Sequence, residues 1–190
     1  AKGKLSVGHE YDLKSNVFDK IPMVFANELP DQNKKYLRVL GRSNNARKYK
    51  FIKSKYVNEV SNLYSYKIFL PGAIGTGDYG ECIPEPIIGL PKDASTETFL
   101  SMGSFDNEGE AYIISKYVKT KFSRALLGVL KRTQANTPGK WKWVPLQDFT
   151  PASDIDWSKS IHEIDLQLYK KYGLSDEEIN FIETHVKEMA

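Results

Sequence analysis

Cysteine is all but missing from this chain. Cys82 stands alone among 190 residues, which excludes an internal disulfide and fits a reducing cytoplasm, the compartment we expect. Histidine is scarce too: His9, His162 and His185 lie far apart and none has a second ligand at metal spacing, which argues against a structural zinc site. No run is long and apolar enough to span a bilayer, and no N-terminal segment has a signal peptide's charged-then-apolar order, so we expect a soluble protein without a membrane partner. An initiator Met is absent as well. The polar start Ala1-Lys2-Gly3-Lys4 leads us to expect an excised fragment or a processed end.

Catalytic motifs are also lacking. The run Gly72 to Gly80 carries Gly72, Gly75, Gly77 and Gly80, but it has neither the Gly-Lys-Ser/Thr end of a P-loop nor a complete G-x-G-x-x-G opening a helix, where amides would cradle phosphate. It reads instead as a loop or hairpin needing positive φ, with an approach to DNA through Thr76, Asp78 and Tyr79 as its functional variant. A Pro-Asp … Asp/Glu-x-Lys nuclease needs acids and a lysine around a metal and the scissile phosphate. Pro30-Asp31 supplies the first half, yet no lysine beyond Asp31 has an acid two positions before it. No Asn/Asp/Ser-Pro-Pro-aromatic tetrapeptide is present to hold a flipped adenine, and nothing ties the scattered Ser, His and Asp residues into a triad. We therefore expect no catalytic, cofactor-binding or metal-ligating residue in this chain.

Acid is missing locally too, and there the composition turns informative. Between Asn33 and Tyr56 stand nine basic residues and no acidic one: Lys34, Lys35, Arg38, Arg42, Arg47, Lys48, Lys50, Lys53 and Lys55, with Tyr36, Tyr49, Phe51 and Tyr56 among them. Such a stretch suits a polyanion, and its aromatic and β-branched residues let it fold into strands. The aromatics could equally be core and the charges a solvated face. Residues 111–147 are again acid-free, whereas 148–190 hold ten Asp/Glu against four Lys/Arg. The overall charge of +3 thus hides a basic body and an acidic end. We expect a DNA-binding region over 1–147 and an acidic helical segment over 148–190, packed on that body or on a neighbouring domain because phosphates would repel it.

The sharpest segment is Gly41-Arg42-Ser43-Asn44-Asn45-Ala46-Arg47. In the major groove Arg pairs bidentately with guanine and Asn with adenine, so Arg42, Asn44, Asn45 and Arg47 are base-reading candidates on a turn; an ordinary Asn-rich turn with exposed arginines would look the same. Lys34, Lys35, Arg38, Lys48, Lys50, Lys53 and Lys55 are phosphate candidates, which position rather than specify.

At 41% hydrophobic and 12% aromatic the chain can bury one substantial core, or one core plus a small appendage. Short apolar runs at Val24-Phe25, Tyr36–Leu40, Tyr49–Ile52, Tyr64–Leu70 and Thr96–Met102, bounded by turn residues, read as strands. Pro84-Glu85-Pro86 should be extended. From Asn107 to Thr133 the apolar residues Ile114, Val118, Phe122, Ala125, Leu126 and Val129 recur at three- and four-residue spacing, predicting one long helix with Lys116, Arg124 and Lys131 on its far side. With Lys140 and Lys142 in the following loop, these are secondary DNA candidates. Trp141–Leu146 reads as a short strand or extended anchor. Ser160–Glu163 and Ser175–Glu178 match the capping box and Gly173 a C-cap, predicting two C-terminal helices. The expected fold is α+β: a twisted, mainly antiparallel sheet over about 20–106, one long helix and a helical pair.

Several segments also resemble a known family. Lys119-Thr120-Lys121-Phe122-Ser123-Arg124, Val144-Pro145-Leu146-Gln147-Asp148-Phe149, Asp154-Ile155-Asp156-Trp157-Ser158 and Leu168-Tyr169-Lys170-Lys171-Tyr172-Gly173-Leu174 are similar to the C-terminal region of bacterial restriction-modification DNA adenine methyltransferases, a group that includes type II fused methylase-endonucleases. The resemblance covers roughly residues 64–190 and is weaker over 1–63, as the variable part of a target recognition domain would be. It implies recognition of double-stranded DNA, an upstream methyltransferase domain holding S-adenosylmethionine, and a possible nuclease domain or subunit. It carries no active-site residue onto this chain. The rival readings are a docking module joining methylase to nuclease or specificity elements, which DNA competition in a pull-down would separate, and an RNA-binding module, which competition between duplex DNA and single-stranded RNA would test.

Overall fold

The computed structural model describes residues 13–31 and 35–189; His9 and Lys34 lie outside them. The fold is α+β with mainly antiparallel pairing. The expected single sheet is instead two. The first has the order β1 (Phe25–Ala26), β3 (Ala46–Lys53), β2 (Tyr36–Ser43), β6 (Asp93–Ser95), and the second the order β5 (Ile87–Gly89), β4 (Tyr66–Pro71), β7 (Phe99–Phe105). β2 and β6 run parallel; the other pairs are antiparallel.

The two sheets arise because β4 is buried on both faces. Ile68 and Leu70 join the large helical core, while Phe69 turns to Leu40 and Phe99 in a small cluster between the sheets. Lys67 is buried at the same joint, where its Nζ donates to the carbonyls of Leu63, Leu90 and Asp93 at 3.0–3.3 Å. Burial outweighs the nearby Asp93 carboxylate and lowers Lys67 to about 8. A third cluster packs α1 (Val17–Lys20) on the far face of β2 and β3 through Val17, Phe18, Leu37, Val39 and Ile52. Burying a ring such as Phe18 contributes about 1.5–3 kcal/mol.

The long helix expected over 107–133 is two helices, α2 (Glu108–Tyr117) and α3 (Lys121–Leu130). Thr120 makes the break. Its hydroxyl accepts from Ser123 N at 3.1 Å as the N-cap of α3 and donates to the Tyr117 carbonyl at 2.7 Å at the end of α2. Apolar spacing survives such a break, which is why periodicity alone runs straight through it. Trp141–Leu146 is likewise not a strand: a single 3-10 turn ends at Trp141, whose buried indole donates to Asn136 at 2.7 Å.

The C-terminal pair follows its local signals. α4 (Ile161–Tyr172) and α5 (Asp176–His185) both begin with complete capping boxes, and Gly173 ends α4 at φ 64. Ile164, Leu168, Tyr169, Ile182 and Val186 enter the same core as Ile68, Ile114 and Phe122, so residues 148–190 pack on the body of the chain. No helix among the described residues is long and apolar enough to cross a membrane.

Candidate nucleic-acid interface

The basic stretch forms one hairpin. β2 and β3 pair over their full length, and Asn44 and Asn45 turn the chain with φ of 50 and 60. A two-residue turn of this kind needs positive φ at both positions, which Asn tolerates better than other side chains bearing a Cβ. Neighbouring strands reach only the base of the ribbon: β6 pairs Arg38–Leu40 and β1 pairs Phe51-Ile52. Residues 41–48 therefore extend past both flanking strands.

The register sorts the cations. Arg42 pairs Arg47 on the face shared by Leu40 and Tyr49, whereas Lys48 and Lys50 share the Phe18 face with Gly41 and Val39. Arg42 donates to the Asn45 carbonyl at 3.1 Å, the Arg47 guanidinium lies 5.9 Å from the Phe99 ring, and Lys50 lies 5.3 Å from Phe18. Two arginines directly across a ladder repel, and among the described residues no carboxylate pairs with either. Of the described cations in this stretch only Arg38 has an acid partner, a bidentate pair with Asp93 at 2.7 and 2.5 Å; that bond holds the guanidinium well above its ordinary value. Arg38 is thereby occupied in anchoring β6. Lys35, Lys48, Lys53 and Lys55 are exposed, with Lys55 5.2 Å from the Tyr56 ring. Phe18, Phe99 and Asp93, which steer three of these cations, come from outside the basic run and had no sequence signal within it.

The second acid-free stretch is arranged differently. Arg124 is 2% exposed, and its guanidinium donates to the carbonyls of Lys119, Gly80, Glu81 and Lys187. Lys131, 3% exposed, pairs with Glu81 and donates to the Ile74 carbonyl at 2.8 Å. Lys116 donates to the Trp157 and Lys159 carbonyls, and Lys140 to that of Leu130 at 3.0 Å. The expected far-side placement of Lys116, Arg124 and Lys131 is thus not found: their side chains staple loops and helix ends. Only Lys142 of these five stays exposed, 5.1 Å from the Trp143 ring. No family model matches this chain, and no curated protein or solved structure is significantly similar to it.

The glycine loop does need positive φ, at Gly75, Gly77 and Gly80. Its amides are already engaged: Thr76 N and Gly77 N donate to the Glu81 carboxylate. Burial works against that carboxylate, but Lys131 and the two amides outweigh it and hold Glu81 below the ordinary range. Thr76 donates to Asp78 at 2.7 Å, and the half-exposed Tyr79 ring leans on Phe181. Glu81 is paired with Lys131, so the charge the loop exposes is that of Asp78. Among the described residues no group of His, Cys, Asp and Glu is arranged to hold a metal.

Proposed function

We propose that this chain is the sequence-reading part of a restriction-modification adenine-N6 methyltransferase, gripping double-stranded DNA while a separate domain binds S-adenosylmethionine and carries out the transfer. The observation that supports this reading best is the hairpin: an Asn-Asn-tipped ribbon, extending past its neighbours, with cations on both faces that have no carboxylate partner among the described residues. A two-stranded ribbon fits the major groove, about 12 Å wide, where Arg42, Asn44, Asn45 and Arg47 would meet base edges. Lys48, Lys50 and Lys53 would then flank the phosphates. The Arg42–Arg47 opposition, unfavourable in the free protein, would be relieved by a bound polyanion.

Fluorescence anisotropy with a labelled duplex across a salt series tests this. About five engaged phosphates give a log–log slope near −4 to −5. A flat slope, or no binding at low salt, would replace the reading with a docking module, and tighter binding of single-stranded RNA would replace it with an RNA-binding one. The purified chain should neither methylate an adenine-containing duplex with labelled S-adenosylmethionine nor cut plasmid with magnesium.

A further inference from the structure

α3 and α5 leave a groove of about 410 Å³ between them, walled by Phe122, Leu126, Val129, Leu174 and Phe181 and closed at one end by Tyr79. Val129 is 52% exposed and Phe181 47%. Gly128 makes the end wall possible, since a Cβ there would sit 2.7 Å from the Tyr79 ring. Phe122 stacks on Tyr172 at 4.9 Å, which holds the Phe122 ring in the wall of the groove. Glu177 and Glu178 line the rim, next to Asp176 in the first turn of α5, and no cation lines the groove.

We propose that this groove docks an amphipathic helix of a protein partner, with an apolar stripe flanked by lysine or arginine. An apolar trough between two helices takes aliphatic anchors at helical spacing, and the acidic rim selects cationic flanks while repelling nucleic acid. A second copy of this chain fits poorly. The largest group of its exposed cations, Arg42, Arg47, Lys48 and Lys53, sits on a β-ribbon, and seating one copy's ribbon in the next copy's groove would be a head-to-tail contact that propagates instead of closing. The proposal is independent of the DNA reading.

The probe is a synthetic helix of about 18 residues with leucine at i, i+3, i+4 and i+7 and lysine flanks, set against the same peptide with glutamate flanks. By NMR titration, the lysine peptide should bind at least about tenfold tighter and shift Val129, Leu126 and Phe181. Val129→Ser and Glu177→Lys, both at exposed positions, should each weaken it by about fivefold or more, whereas Leu166→Ser, exposed on α4 away from the groove, should leave it unchanged. Equal binding of both peptides, shifts centred on the hairpin, or indifference to Val129→Ser would overturn the proposal. So would concentration-dependent self-association removed by Val129→Ser, which would assign the groove to a second copy.

Discussion

In the hairpin of residues 36–53 most lysines and arginines meet water or the face of a ring; in α2, α3 and the loop after them the same residue types meet carbonyls and carboxylates. Residues 36–53 and 111–147 both lack acids. What differs is the supply of acceptors from elsewhere. α3 is surrounded by helix ends and by Glu81, Glu183, Glu188 and Asp165, so Lys121 pairs with Glu183 at 2.6 Å and Glu188 at 3.1 Å, and Arg124 collects loop carbonyls. At the hairpin tip the nearby carboxylate of Asp19 is taken up by the Ser43 hydroxyl at 2.7 Å, and Arg42 finds only the Asn45 carbonyl. A run of cations is therefore available to a polyanion only where the fold withholds partners, and charge density along the chain does not measure that.

The largest expected effect breaks the comparison on the buried side. Lys131→Met leaves Glu81 without its cation in a mostly enclosed site, and should destabilise the fold by about 3–5 kcal/mol in urea titrations. A neutral result would return Lys131 to the pool of spare cations.

Next comes the pH dependence of the acid that serves α3. Asp165 accepts from Lys121 N and Phe122 N at 2.9 and 2.8 Å, yet burial outweighs those bonds and pushes it up to about 6. Because the folded value lies above the ordinary aspartate value of 3.8, its contribution to stability is full below that value and is lost as pH rises through about 6, by up to roughly 3 kcal/mol. Carboxyl carbon NMR should place the Asp165 midpoint near the upper value; an ordinary aspartate midpoint would defeat the expectation.

On the hairpin side, if the chain reads DNA for a methyltransferase as proposed, Arg42→Ala should cost about 1–3 kcal/mol of discrimination at one base position, seen as a relaxed or lost motif in methylome sequencing. An unchanged motif would move base reading elsewhere. The smallest effect is Lys53→Ala: it should reduce the salt slope by about one unit on every duplex alike and leave stability within about 0.5 kcal/mol. A sequence-dependent loss would make Lys53 a reader.

Much of the fold was legible where local physics decides it. The capping boxes at Ser160 and Ser175, the Gly173 cap and the Asn44-Asn45 turn all lie where residue chemistry placed them. The division into two sheets was not legible, because it rests on partners distant in the chain: Phe69 packs on Leu40 and Phe99 while Ile68 and Leu70 pack on the helices. The break at Thr120 was visible in principle as a Thr before a helical run, but an uninterrupted apolar period masked it. At the candidate interface, the turn and its exposed arginines were readable; that Arg38 is held by Asp93, 55 positions on, and that Arg124 is a core residue were not.

The amine at the joint between the sheets makes folding a proton-exchange reaction. Lys67 sits at about 8 in the folded chain against an ordinary lysine value of 10.5, so at about pH 9 folding expels most of one proton into the buffer. The folded state gains stability from this group as pH climbs between those two values. Calorimetric unfolding near pH 9 should consequently return different heats in two buffers of unequal ionisation enthalpy, by nearly one proton's worth, and the difference should vanish in Lys67→Met.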